Sequence, residues 1–224
     1  MRSDLMPRYG IVVDLNRCTG CMTCVLACKE ENDTRPGIWW NRILEVESER
    51  LDSITYVRYA CMHCDDPPCI DACSEGAISK RSDGIVLIDK DKCKASGECA
   101  KACPYGVIEM NPDQDYFPEE KGYNQGSNTH YKKHPPGKAS KCNFCVHRID
   151  KGRQPACVES CPSKALIFGD LDDPRSTISE KLWQAEPLLA HQNTKSKSFY
   201  IIPKDFICIL EDRILENPKM GNER

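Results

Sequence analysis

The stretch "CKASGECAKACPYG", residues 93–106, carries cysteines at 93, 99 and 103 and a proline at 104. One more cysteine at 96 would complete the spacing C-x2-C-x2-C-x3-C-P, but that position is Ser96. The spacing is no accident, because it recurs along the chain. "CTGCMTCVLACKE" holds Cys18, Cys21, Cys24 and Cys28 at the full spacing. "CMHCDDPPCIDACSEGAI" holds Cys61, Cys64, Cys69 and Cys73, and "CNFCVHRIDKGRQPACVESCPSKALIF" holds Cys142, Cys145, Cys157 and Cys161. Three of the four blocks close alike, in "CSEGAI", "CPYGVI" and "CPSKAL". Apolar stretches precede three of them: "YGIVVDLNRC", "ITYVRYAC" and "GIVLIDKDKC". Each unit is therefore predicted to run strand, cysteine loop, short helix, return strand.

Cysteine chemistry narrows the reading. Sixteen cysteines in 224 residues point to disulfides or to metal. Disulfides fit poorly, since "MRSDLMPRYGIVVD" has no apolar signal-peptide core and no twin-arginine pair. Tightly spaced C-x2-C pairs would also have to bridge strained loops. Structural zinc accounts for paired C-x2-C but needs neither the x2-x2-x3 cadence nor the trailing proline. Iron–sulfur clusters account for both. In C-x2-C-x2-C-x3-C-P the first three thiolates surround one cubane, and the fourth belongs to the other cluster of a pair. The fourth is expected on the following helix, facing away from the first three. Gly20 and Gly97 let backbone amides approach inorganic sulfur. Pro104 and Pro162 turn the chain after the fourth ligand, and Pro67, Pro68 and Pro155 stiffen the longer loops of blocks two and four. Bound clusters also compensate for a modest 40% hydrophobic content, because metal-binding free energy becomes folding free energy.

Other function classes lose support. A formal charge of −3 without a basic patch gives no reason to expect nucleic acid. No apolar run approaches the ~20 residues of a spanning helix; "IVLI" and "FICIL" suit strands or short buried segments. The chain is thus expected neither to span a membrane nor to carry its own export signal. It offers no nucleophile–base pair, no convincing carboxylate pair and no phosphate loop. The expected role is conduction of electrons by cofactors that the protein positions and tunes.

These blocks, with "CKEEN" after the first, "CMHCDDPPC" at 61–69, "CPYGV" at 103–107 and "PACVESCPSKALIFGDLDDP", resemble a known family. The chain is similar, over roughly residues 8–172, to the four-cluster ferredoxin-like electron-transfer subunits of molybdopterin oxidoreductases. That group includes the small subunits of dimethyl sulfoxide, polysulfide, thiosulfate and respiratory arsenate reductases. The resemblance implies that block one pairs with four and block two with three. One cluster then takes Cys18, Cys21, Cys24 and Cys161; a second takes Cys142, Cys145, Cys157 and Cys28; a third takes Cys61, Cys64, Cys69 and Cys103. The fourth takes Cys93, Cys99 and Cys73, with Ser96 where a cysteine is expected. The implied fold is α+β: two interleaved ferredoxin-like domains. Residues 8–55 with 138–172 form the first and 56–111 the second, with a polar loop inserted at 112–137 and a C-terminal tail at 173–224. Ser74 stands where the family has proline, which affects a turn and no ligand.

Three outcomes are open at Ser96. It binds iron as an alkoxide, a harder and more basic ligand than thiolate, and a [4Fe–4S] cluster persists. Alternatively the unligated iron is lost and a [3Fe–4S] cluster remains, which the resemblance favours over the cubane. The third outcome is no cluster. By the same resemblance this site lies at the end distant from the catalytic subunit, and three cubanes precede it.

Smaller features carry weaker readings. Cys208, in "DFICILEDRI", is read as a small buried apolar side chain rather than as the missing ligand. His63 and His147 lie inside cysteine loops and are read as bonding around the ligands or at the surface. His130 and His134 fall in a polar loop. Trp39 and Trp40 are read as core residues ahead of a place beside a cluster or partner. Residues 111–140 read as a long loop suited to a partner subunit. "DPRSTISEKLWQAEPLLAHQ" reads as a helix through Ile178, Leu182, Leu188 and Leu189, limited by Pro187. "SFYIIPKDF" reads as a strand or extended arm, either embracing the catalytic subunit or packing on its own domain.

The resemblance implies a large molybdopterin-containing catalytic subunit as partner, and a quinone-reactive membrane subunit or soluble carrier at the other end. An iron–sulfur subunit of a soluble molybdenum enzyme, such as an aromatic transhydroxylase or hydroxylase, is the alternative, as is a free-standing polyferredoxin. A sensor would need a nucleic-acid-binding segment. Substrate and direction of flow belong to the partner. Small subunits of exported family members leave the cytoplasm bound to their partners, so the respiratory resemblance favours the periplasmic side by co-export over the cytoplasm.

Overall fold

Tyr9–Asp14 (β1) is apolar on both faces because both are covered. Ile11 and Val13 enter the main core, while Val12 packs with Leu171, Ile178 and Ile201 on the other side. A computed structural model describes residues 6–48, 52–112 and 134–216, the side chains of 208, 213, 215 and 216 apart. In it β1 runs antiparallel to Leu166–Asp170 (β8) and parallel to Ser198–Ile201 (β10). Glu186–Pro187 (β9) closes the β10 edge, a position that tolerates proline's missing donor. Three two-stranded pairs complete the described sheets: Asn41–Ser48 (β2) with Ser53–Ala60 (β3), Ile78–Lys80 (β4) with Val86–Ile88 (β5), and Glu109–Met110 (β6) with Ala139–Ser140 (β7).

The helices are Thr23–Asn32 (α1), Pro68–Asp71 (α2), Glu98–Ala102 (α3), Val146–Ile149 (α4), Ala156–Glu159 (α5), Ser179–Leu182 (α6) and Ile207–Glu216 (α7). The fold is α+β. Each block follows the predicted order: β1, loop, α1, β2; then β3, loop, α2, β4; then β5, loop, α3, β6. Block four runs β7, loop, α4, α5, β8, and its leading strand is too short to be legible in the sequence. Of the fourth cysteines, only Cys28 lies on its helix; Cys73, Cys103 and Cys161 follow theirs by a residue or two.

Two local conformations repeat and explain the loops. The residue two positions after each leading cysteine is left-handed: Gly20 (φ 68°), His63 (46°), Ala95 (61°) and Phe144 (53°). Three of these carry a Cβ, at a cost of about 1–2 kcal/mol each, a strain that ligand-binding sites commonly hold. After the fourth cysteine a second turn recurs. Its amide bonds are Gly76 to the Cys73 carbonyl (3.1 Å), Gly106 to Cys103 (3.1 Å) and Lys164 to Cys161 (3.3 Å). All three donors have positive φ, at 60°, 59° and 53°. The turn forms over Ser74 as it does over Pro104 and Pro162, so proline there is dispensable.

The C-terminal region departs from expectation. The predicted helix across 173–192 shrinks to α6, and Leu188 and Leu189 are buried in the main core instead of lying on a helix with Ile178. Pro187 belongs to β9, and Leu189 is itself left-handed (φ 52°). "SFYI" is a strand inside the β1 sheet, and α7 packs on β2 through buried Leu210 and Ile214. The described part of the tail therefore packs on its own domain. The side chain of Cys208, and residues 113–133 with His130, lie outside the described residues.

Lys164 occupies the left-handed turn position that glycine fills in the two sister turns, and its side chain is exposed. Replacing it with glycine should therefore raise stability by up to ~1 kcal/mol, whereas Gly106→Ala should lower it similarly. Urea unfolding of the iron-loaded protein, followed by circular dichroism, measures both.

Candidate iron–sulfur site

The loops bring cysteines from different blocks together. Cys18 lies within electrostatic reach of Cys21 and Cys161, and Cys24 of Cys18. Cys28 is surrounded by Cys142, Cys145 and Cys157. Cys69 faces Cys61, Cys64 and Cys103, around a small cavity walled by Pro67, Pro68 and Val107. Cys99 faces Cys93 and Cys73. Those three, with Ser96 and Gly97, line another small cavity. Ser96 follows left-handed Ala95 as Cys21 follows left-handed Gly20, which puts it at a ligand's place in the loop.

The sulfurs stand around volumes rather than points. Among the described residues, no three His, Cys, Asp or Glu side chains close on a single metal ion. Burial pushes the Cys24 and Cys69 thiols up to about 12 and Cys64 up to about 11. Iron must therefore displace protons from these groups. The surroundings favour the thiolate once formed. Burial raises Cys103, but the amides of Val107, Tyr105 and Gly106 are directed at its sulfur and oppose that rise. Gly20 and Phe144, two of the left-handed residues, direct amides at Cys18 and Cys142. Such N–H groups are what cluster thiolates and sulfides require.

Buried polar side chains make the same point. Asn32 Nδ2 lies 3.7 Å from Cys28 Sγ and 3.6 Å from Cys145 Sγ. Arg58 is 1% exposed, its Nη2 lies 3.9 Å from Cys157 Sγ, and its Nε and Nη1 have no hydrogen-bond partner among the described residues. A buried cation left unpaired is strongly unfavourable. An anionic cluster beside Cys157 would supply the missing counter-charge, so the residues present fit iron–sulfur clusters.

Motif residues outside the cysteines prove to be connectors. Glu31, in "CKEEN", bonds His147 Nε2 (2.7 Å) and Arg148 Nη1 (2.5 Å) of block four. His63 is fully buried, accepts from the Val86 amide through Nδ1 (3.1 Å), and stacks on Phe144 at 3.7 Å between centroids. Burial holds its pKa well below the ordinary value. His134 is no loop-surface residue: it is buried edge-on against Trp40, and its Nε2 pairs with the Asn32 carbonyl (2.6 Å). Trp40 is core, while half-buried Trp39 lies under the Lys29 ammonium, 4.4 Å from the ring centroid. Lys138 bonds the Cys93 carbonyl, so the end of the predicted loop anchors block three.

The tail also reaches the site. The backbone amides of Asp66 and Asp65 donate to the carbonyls of Thr194 and Lys195, and the Lys197 amide donates to the Met62 carbonyl. The Thr194 hydroxyl bonds Tyr105 Oη (2.6 Å) and holds the Cys64 pKa down against burial. Arg58, Asn32 and Thr194 escaped the sequence reading. For Asn32 a signal existed, one helical turn after Cys28; for the others none did, because each meets its sulfur through a long-range contact.

A ferredoxin-type scaffold that gathers cysteines in this way defines an iron–sulfur electron-transfer protein. Comparison with known proteins agrees. The family described as 4Fe-4S dicluster domain matches residues 53–119 and 126–171, and that described as 4Fe-4S binding domain matches 9–30. The chain is 36% identical to the arsenate respiratory reductase iron–sulfur subunit of Shewanella sp. strain ANA-3, over 87% of this chain and 96% of that one. It is 38% identical to a Halobacterium salinarum protein assigned as the iron–sulfur subunit of a dimethyl sulfoxide reductase, over 88% of this chain and 79% of that one. It is 36% identical to a subunit of the anaerobic dimethyl sulfoxide reductase of Escherichia coli K12, over 75% and 76% of the two chains. This protein is thus a member of the family of non-catalytic iron–sulfur electron-transfer subunits of reductase complexes.

Gly20 tests the packing of the loop. A Cβ there would sit 2.5 Å from the Tyr56 ring, at a φ of +68°. Gly20→Ala should lower the iron content by about four atoms per chain, the content of one cubane, and leave the remaining clusters in place. Iron analysis of the purified variant reads this directly.

Proposed function

We propose that the chain relays single electrons through four clusters between a molybdopterin catalytic subunit and a quinone-reactive membrane subunit or soluble carrier. The observation that carries the proposal is that each block's fourth cysteine joins cysteines of a different block. In this reading Cys18, Cys21, Cys24 and Cys161 hold one cubane, and Cys28, Cys142, Cys145 and Cys157 a second. Cys61, Cys64, Cys69 and Cys103 hold a third. Two interleaved ferredoxin-like units follow from the same pairing. Supporting this, β1 pairs with β8 to join blocks one and four, while a smaller core of Ile78, Val86 and Ile108 surrounds Cys69, Cys93 and Cys99. Among the described residues no helix is long and apolar enough to cross a membrane; the quinone-reactive part belongs to the partner.

The fourth site carries a [3Fe–4S] cluster held by Cys73, Cys93 and Cys99. A serine hydroxyl gives up its proton far less readily than a thiol, so Ser96 is the weakest donor of the four. Clusters supply the one-electron chemistry when bound; the chain's own part is to hold, orient and insulate them.

Anaerobic purification of the complex, with iron, molybdenum and zinc quantified and the oxidised sample examined by EPR, tests the proposal. Expected are a large molybdenum-containing partner, about 15 iron per chain and a sharp signal near the free-electron position. About 16 iron with a silent oxidised spectrum would replace the [3Fe–4S] assignment with a fourth cubane, and about 12 would empty the site. Zinc in place of iron would overturn the whole reading.

A further inference from the structure

Arg58 sits on β3, its carbonyl accepting a hydrogen bond from Tyr200 Oη (3.1 Å) on the neighbouring sheet. The side chain is buried and, among the described residues, no carboxylate pairs with it. Two other buried cations are differently placed. Lys197 has Asp65 at 3.2 Å, and Lys141 donates to the carbonyls of Val86 (2.5 Å) and Cys142 (3.1 Å). Arg58 alone of these three turns a donor to sulfur: Nη2 toward Cys157, with Nε and Nη1 unclaimed among the described residues.

Its position is shared between two cysteine groups. The Arg58 charge bears on Cys24 of the first group and on Cys28, Cys142 and Cys157 of the second. Different cations serve the remaining cysteines: Lys141 bears on Cys69, and Lys90 interacts with Cys93 and Cys99. A guanidinium keeps its proton throughout the accessible pH range and presents donors in a rigid fork. It is therefore a fixed positive charge.

We propose that Arg58 is a shared positioning residue that sets the reduction potentials of the cluster at Cys24 and the cluster at Cys157 together. The inference rests on the relay reading above. One-electron reduction adds one negative charge to a cluster, with no bond to the protein made or broken and no proton taken from Arg58. The guanidinium stabilises that added charge at either cluster, and low-dielectric surroundings strengthen the effect. Both potentials are thereby raised relative to a neutral residue. Hydrogen bonding and charge near the sulfurs are recognised means of setting such potentials.

Potentiometric titration of the full chain, purified anaerobically from its own host and followed by EPR, tests this with Arg58→Met, Arg58→Gln and Arg58→Lys. In the two neutral variants two of the resolved midpoints should fall. At fixed ambient potential the reduced-to-oxidised ratio of each affected cluster should drop at least tenfold, about 59 mV for one electron. The other midpoints should hold. Arg58→Lys, which keeps the charge, should stay near the parent protein. Unchanged midpoints in whichever neutral variant retains its iron would overturn the proposal, as would an equal shift of every midpoint. Absence of iron from the parent protein would instead overturn the relay reading on which it rests.

Discussion

A thiolate removed from water has to be met by hydrogen-bond donors or by positive charge, and eleven of the fifteen motif cysteines here are buried. Much of the architecture answers that requirement. The left-handed residue two places after each leading cysteine curls the loop inward, and the amides of Gly20 and Phe144 meet Cys18 and Cys142. The turn after each fourth cysteine does the same for Cys103. Where backbone donors run out, Asn32 and Arg58 supply side-chain ones. Apolar surface then closes over the groups. The conventional core and the cysteine groups are not separate, since Cys24, Cys28, Cys142, Cys157 and Cys161 are members of the main hydrophobic cluster.

This arrangement ties cofactor binding to folding. Short helices such as α2, α3 and α5, of four or five residues, have little stability of their own. They are held by the cysteines at or beside their ends and by long-range ties such as Glu31 to His147 and Arg148. With the thiols protonated, burial favours the neutral form and the clusters of sulfur atoms have nothing at their centres to bind. Those thiols, giving up their protons, would hold iron and so tie each loop to a common anchor. Cys61 lies within electrostatic reach of Cys142, and His63 stacks on Phe144. Two of the left-handed residues thus form the contact between the second and third cysteine groups.

Legibility differed by range. The order strand, loop, helix, strand was readable because each unit is contiguous and its ligand spacing is local. Ser96 was readable as a substituted ligand position for the same reason, and the conformation of Ala95 gives that reading a structural counterpart. The pairing of blocks entered through the family resemblance and not through spacing. The helix expected across 173–192 failed because Leu188 and Leu189, though at helical spacing from Ile178, face a different core once Pro187 enters β9. His134 looked like part of a polar loop, yet it is buried under Trp40.

The sequence by itself determined the chemistry: four cysteine blocks at a spacing that suits iron–sulfur cubanes, one of them short of a thiolate. Ligand geometry imposes that spacing on consecutive residues, so a linear reading recovers it. Only the tertiary structure decided what surrounds the sulfurs. Arg58 is 99 residues from Cys157, Thr194 comes from the C-terminal region, and β10 is inserted beside β1 from the far end of the chain. Donors and charges act through space, and nothing in their local sequence records which sulfur they will meet.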